Sequence, residues 1–271
     1  MPTPLGLLAT RRWLGFTVFA LVVVLACVQL GRWQLHRAED RQATAREVAA
    51  RTSAEPLPVQ DVTAVGERPA EATRWRSVSA EGAYDPSGTV LLRNRSLDGQ
   101  RGYHVLVPLR LDDGTVQVVV RGFLPAPGPL SAGVDVPAPP EGRVALQGRL
   151  VPGDAVDGPD DLGLDEGSGV LSASRADPLV LGTALGARVA PAGSLRGGLV
   201  EATAEEPAPP ATLAPLPAPE AGNYGLNYAY MVQWWLFALI GVVGWWLLLR
   251  REAREGSGQD GAARERRAVR A

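Results

Sequence analysis

Two stretches of the chain hold no charge, and between them the spacing of apolar positions changes from helical to alternating. Trp13–Leu30 ("WLGFTVFALVVVLACVQL") and Met231–Leu249 ("MVQWWLFALIGVVGWWLLL") are dominated by apolar side chains over 18 and 19 residues. A helix needs about 20 such residues to cross bilayer hydrocarbon, with a lower limit near 17. Both runs predict transmembrane helices, because buried globular helices rarely run so long without charge. The segment after the first run, "LGRWQLHRAEDRQATAREVAAR", is rich in helix formers and has no breaker. The first helix is therefore expected to leave the membrane and continue for several turns, until prolines and a glycine in Ser53–Glu71 end it.

From Arg74 the period becomes two. "RWRSVSAEGAYD", "TVLLRNRS", "GYHVLVPLRL", "TVQVVVRGFLP" and "GRVALQGRLVPG" predict strands, with "SLRGGLVEATAE" as the last. The Asp-Gly pair in Leu111–Thr115 signals a hairpin, and Ser96–Gly102 a second turn. Strands at such short spacing predict a mainly antiparallel, barrel-like sheet. "DPLVLGTALGARVAP" predicts a short helix, which makes the domain α+β. Pro125–Gly142 is rich in Pro and Gly, and the acidic, Gly-rich Pro152–Gly169 is expected to be a mobile surface loop. Glu206–Gly222 reads as an extended, semi-rigid Pro/Ala linker. The organisation expected is thus a cytoplasmic tail (1–12), a transmembrane helix (13–30) and an extracytoplasmic β-rich domain (31–220). A second transmembrane helix with a polar and aromatic entrance (221–249) and a cytoplasmic Arg-rich tail (250–271) follow.

Charge fixes the orientation within that plan. The chain has no lysine, so all 27 basic residues are arginine. Arg11 and Arg12 precede the first span, and seven arginines follow the second against four acids. The stretch between the spans holds 18 arginines against 25 acids. Both termini are therefore expected on the cytoplasmic side of the membrane, with the main domain outside. On this plan Trp13 and Trp245–Trp246 lie at one interface, and Trp33 and Trp234–Trp235 at the other, as an aromatic belt requires. The single cysteine, Cys27, lies inside the first span, so the outer domain has no disulfide and no thiolate metal site. Arg11-Arg12 before an apolar run also fits a signal sequence, and "VLAC" faintly fits a lipoprotein box. Bulky Leu25 and the apolar pattern past Cys27 favour an uncleaved anchor instead.

Candidate chemistry is sparse. There are two histidines, His36 and His104, no phosphate loop, no serine elbow and no cluster with metal-ligand spacing. No catalytic residue is assigned, and the chain is not read as an enzyme. The entrance to the second span is richer. Asn227, Tyr230 and Trp234 are spaced i, i+3, i+7, and Ala238, Gly241 and Trp245 extend the stripe. Small residues there permit close helix packing, while polar groups at a membrane mouth need partners. An interfacial girdle, a groove for a flat amphipathic ligand and a seat for a partner helix are all compatible with this pattern.

Three pieces of the chain together resemble the surfeit locus protein 1 family of cytochrome c oxidase assembly factors. "LGRWQLHR" (Leu30–Arg37) fits the family's Leu-Gly-x-Trp-Gln-x-x-Arg after its first span. Leu91–Pro125 fits Asn-Arg, Gly-Tyr-x-Val, Pro-Leu, then Val-x-Val-x-Arg-Gly-x-x-Pro, and "NYAYMVQWWLF" fits the opening of the second span. The resemblance implies a role in maturing subunit I of haem-copper oxidases, through haem a delivery or insertion or through stabilising the subunit. Subunit I is the implied partner, haem a synthase a second one and haem a a transient cofactor; lipid is expected around the spans and nucleic acid is not a partner. The position linked in bacterial members to haem a binding, a histidine at the mouth of the second span, falls on Asn227 here. Asn is a poor axial ligand for haem iron. The resemblance offers Trp33 as facing Trp234, and Arg37 as a partner for a propionate or a subunit carboxylate. Tyr230, and His104 if the domain folds down onto the membrane, are further candidate contacts. Arg121-Gly122 reads as a strand end with a charge and a flexible turn. Two other readings use the same features: a membrane-anchored scaffold unrelated to haem, and a membrane-tethered hydrolase.

Overall fold

The computed structural model describes residues 10–126, 135–164, 171–219 and 224–268, the last helix by its backbone alone beyond 255. The chain divides into two units, one of helices (up to Arg46 and from Glu220) and one containing the sheet (Glu47–Pro219). The first helix, α1, runs unbroken over Arg11–Ser53, as the breaker-free sequence requires. The last, α4, runs over Gly225–Ala268. Both are long and apolar enough to cross a membrane. Phe19, Leu25, Leu239 and Ile240 stand exposed along them, an exterior that water disfavours and lipid does not.

In the other unit, β1 (Leu57–Pro58) leads into a single turn, α2 (Val59–Val62). Then come β2 (Ser77–Tyr84), β3 (Val90–Leu97), β4 (Gln100–Leu111), β5 (Val116–Pro125) and β6 (Arg143–Val151). A two-residue β7 (Ser172–Ala173), α3 (Pro178–Leu185) and β8 (Leu195–Glu206) complete it. The strands form one eight-stranded sheet in the order β1-β2-β6-β8-β5-β4-β3-β7, and Gly82–Tyr84 of β2 also pair with Leu109–Leu111 of β4. The sheet is mixed, which corrects the mainly antiparallel, barrel-like expectation. β5 runs parallel to β8, β1 to β2, and β3 to β7. Alternation along each strand marks a buried face but says nothing of which neighbour it meets, and the parallel β5–β8 pair joins strands far apart in the chain.

Local chemistry explains the turns. At the β4–β5 hairpin the Asp113 carboxylate accepts from the Thr115 backbone N–H (2.8 Å) and hydroxyl (2.6 Å), and Gly114 takes φ +81°. At the β3–β4 turn Asp98 and Gly99 both have positive φ, the geometry that an Asp-Gly hairpin favours. Asp177 caps α3, accepting from the backbone N–H groups of Leu179 and Val180. Along β5 the period-2 pattern sorts side chains cleanly. Val116, Val118 and Val120 enter one cluster with Leu162 and Leu181, and Val119 enters another with Leu146 and Leu150.

The acidic loop, read from composition as mobile, and the linker, read as extended and semi-rigid, are both tied to the domain over their described residues. In the acidic loop, Leu162 is fully buried and Asp154 bonds to the backbone of Ala176. Its residues 165–170, like 127–134 of the Pro/Gly-rich segment, lie outside the described residues. The described part of the Pro/Ala linker is a strap on the sheet. Ala214 and Phe123 exchange both backbone hydrogen bonds, and Arg149 donates to the Leu216 and Pro217 carbonyls. The domain is thus closed by backbone pairing that composition cannot reveal.

Candidate functional site

Within the helical unit, small side chains set how closely α1 and α4 approach. A Cβ added to Gly31 would lie 2.3 Å from the Trp235 indole nitrogen, and one on Gly241 3.2 Å from Val24. Trp245 Nε1 donates to Thr17 Oγ1 at 3.1 Å, and Arg12 lies 3.9 Å from Glu252. These contacts run in opposite order along the two helices, so the pair is antiparallel. We expect Gly31→Ile to displace Trp235 and cost about 1–3 kcal/mol of helix-pair stability through overpacking. Detergent unfolding of the full chain reads this, with Gly31→Ala as the milder member of the series.

The mouth of α4 is the candidate site. Asn227 is only 7% exposed, its backbone N–H bonds to Tyr224 O, and its side-chain Nδ2 has no acceptor among the described residues. A buried amide donor left unmet is costly, which singles out this position for an incoming acceptor. Tyr230 is half exposed, and Trp234 packs edge-on against Phe237 of its own helix (5.9 Å between ring centroids). On α1, Trp33 is exposed, with the Arg37 guanidinium 5.5 Å over its ring. It is Trp235, rather than Trp234, that packs over Gly31. At the other end, Arg250 lies 3.7 Å over the Trp246 ring, an arrangement suited to an interfacial belt.

His104 belongs to the other unit. It stands in β4 opposite Leu92 and Phe123, edge-to-face with the Phe123 ring. Burial, and then the Arg95 charge, push its pKa down to about 4. The unfolded chain therefore binds the proton more readily between about pH 4 and 6.5, and stability falls as the pH is lowered through that window. Because the imidazole keeps substantial solvent contact, the loss is about 1–2 kcal/mol. Comparing denaturation midpoints of the full chain and its His104→Gln variant at pH 7 and 4.5 should show a shallower fall in the variant.

Haem iron finds a poor fit at the α4 mouth. The buried group there, Asn227, offers an amide where an axial ligand is needed. Tyr228, Tyr230 and Met231 are the neighbours with ligating atoms, and among the described residues no cluster of three His, Cys, Asp or Glu could hold a metal ion.

Sequence reasoning missed a polar triad inside the sheet domain. The Arg121 and Glu205 side chains are 2% and 7% exposed and pair at 3.1 Å. The Tyr84 hydroxyl donates to the same carboxylate at 2.5 Å, and Arg121 lies 5.4 Å over the Tyr84 ring and donates to Pro137 O. Burial and then the Glu205 charge raise the Tyr84 pKa strongly. Arg121 is therefore interior to β5 and does not mark a strand end. The signal available was an arginine inside the apolar run Val116–Phe123, which has to be matched by an acid elsewhere.

In chain order the mixed-sheet domain lies between two helices that are long and apolar enough to cross a membrane. The model of the SURF1 family matches residues 21–239, and the chain belongs to that family, known in general for cytochrome c oxidase assembly factors. The chain is 30% identical over 114 residues to uncharacterized SURF1-like proteins of Mycobacterium bovis and Mycobacterium tuberculosis, covering 41% of this chain and 42% of theirs. A SURF1-like protein of Dictyostelium discoideum is 29% identical over 116 residues, 40% of this chain and 42% of its own length. The alignment thus spans less than half of each relative.

Proposed function

We propose that the protein assists maturation of subunit I of a haem-copper cytochrome c oxidase. It is anchored by α1 and α4 in a bacterial plasma membrane, with both termini cytoplasmic and the sheet domain outside. The observation that carries this reading is the family match over residues 21–239, which begins inside the first apolar helix and ends inside the second. It therefore takes in the whole domain and much of both spans. The arginine-rich tails support the orientation. The Asn227 amide, buried and without an acceptor, supports action by holding a polar group of subunit I or haem a in place, without a protein ligand to the iron at this position.

Difference spectra of membranes from a strain lacking this gene, beside the complemented strain, test the reading. The expected result is loss of the haem a signal while subunit I is still made. Unchanged haem a and oxidase activity, with no second copy of the gene, overturns it.

A further inference from the structure

The antiparallel pairing of α1 and α4 brings the start of one helix beside the charged turns that follow the apolar run of the other, and a pocket of about 430 Å³ opens between them. On α4, Leu248, Arg251, Glu252 and Glu255 are spaced i, i+3, i+4, i+7, so they share one face. Arg12 and Phe16, at i and i+4, line the pocket from α1. The two faces meet, since Arg12 lies 3.9 Å from Glu252. Arg12, Arg251, Glu252 and Glu255 fall outside the charge-free runs, while Phe16 and Leu248 stand inside them. Each wall is thus charged at its outer end and apolar one turn deeper, the order of surroundings that a lipid meets from headgroup to chain. Trp13 also lines the pocket, with its indole Nε1 buried and without an acceptor among the described residues.

The charges in this pocket balance. Two guanidiniums, of Arg12 and Arg251, meet two carboxylates, of Glu252 and Glu255, and the pairs they form (3.9 Å and 2.8 Å) are open to solvent. Exposed pairs hold together weakly, so a ligand bearing both charges exchanges with them at little cost. We propose that the pocket binds the headgroup of a membrane phospholipid that carries a primary ammonium, as phosphatidylethanolamine does. Its phosphate goes to Arg12 and Arg251, whose guanidiniums suit phosphate oxygens. Its ammonium, with three N–H donors, goes to Glu252 and Glu255, and the start of an acyl chain lies over Phe16 and Leu248. An ester oxygen is also the kind of acceptor that the Trp13 indole lacks. The lining selects among headgroups by charge. An anionic headgroup such as that of phosphatidylglycerol answers the arginines but sets a phosphate against both carboxylates. A choline headgroup is balanced but has no N–H to donate. A membrane lipid fits better than a soluble solute because the apolar end of the pocket lies within the runs that cross the bilayer. This binding needs the membrane placement of α1 and α4 proposed above, but not the oxidase role.

Native mass spectrometry of the full chain in detergent, titrated with phosphatidylethanolamine, phosphatidylcholine and phosphatidylglycerol of identical acyl chains, reads this preference. The ethanolamine lipid should bind about fivefold more tightly than either of the others, the scale of two interfacial ion pairs. Glu252→Gln with Glu255→Gln should abolish its advantage over phosphatidylcholine and strengthen phosphatidylglycerol. Arg12→Gln with Arg251→Gln should weaken all three. Both double variants change solvent-accessible side chains, so detergent unfolding should stay close to that of the parent, and a merely structural effect would not reorder the lipids. Equal binding of the three lipids, tighter phosphatidylglycerol in the parent, or an unchanged order in the Glu252/Glu255 variant overturns the proposal. Competition by soluble glycerophosphoethanolamine at equal concentration overturns it too, since the ligand would then be a solute. Release of the chain from membranes by alkaline carbonate overturns the membrane placement of α1 and α4 and this site with it, whereas loss of selectivity in a membrane-retained chain overturns the site alone.

Discussion

Replacing Arg121 by Met costs the full chain about 3–5 kcal/mol of stability, the penalty for leaving a buried carboxylate without its cation. Arg121 and Glu205 are both nearly sealed from water, so neither charge is screened once its partner is gone. The Tyr84 hydroxyl still donates to Glu205, but one neutral donor does not replace a guanidinium. Arg121→Met combined with Glu205→Leu removes both charges and should recover most of the loss, because a well-packed apolar pair is about as stable as a buried ion pair. Urea midpoints of the two single variants and the double variant measure this. A small loss in Arg121→Met, or a double variant worse than either single one, would show that the pair contributes little.

That triad also shows where the sequence stops being readable. Trp13–Leu30 and Met231–Leu249 announce their helices because a charge-free run of that length has few alternatives. The turns at Asp113-Gly114 and Asp98-Gly99 announce themselves because each asks for a backbone conformation that few residues adopt. Alternation likewise places β2 to β6 and β8, since it follows from a local period. Partner choice does not. The parallel β5–β8 ladder, the Ala214–Phe123 bridge and the Arg121–Glu205 pair each join positions more than 75 residues apart. Nothing in the composition of Glu206–Gly222 distinguishes a free linker from a docked strap, since prolines suit both. At the candidate site, Asn227 was visible by its spacing with Tyr230 and Trp234. Its burial and the contact of Gly31 with Trp235 depend on how the helices are rotated, which a stripe of small residues leaves open.

The second large effect is expected at Asn227 itself. Installing His at this position should create a haem-binding signature that the parent chain lacks. Asn227 is buried, and its Nδ2 points to no acceptor among the described residues, so an imidazole there replaces an amide whose hydrogen bond is already unmet. Imidazole is a usual protein ligand to haem iron and carboxamide is not. Full-length Asn227→His in detergent, titrated with haem, should therefore bind about tenfold or more tightly than the parent, a gain of about 1.4 kcal/mol or more. Its Soret band should shift in the way axial imidazole produces. Asn227→Ala controls for the simple loss of the amide and should resemble the parent in iron ligation. If the parent already shows an imidazole-type spectrum, the iron is held elsewhere, and His104 and His36 become the residues to replace. If Asn227→His titrates like the parent, the mouth of α4 does not face haem iron at all. The buried amide would then be better explained as the donor to a main-chain carbonyl of a partner's membrane helix.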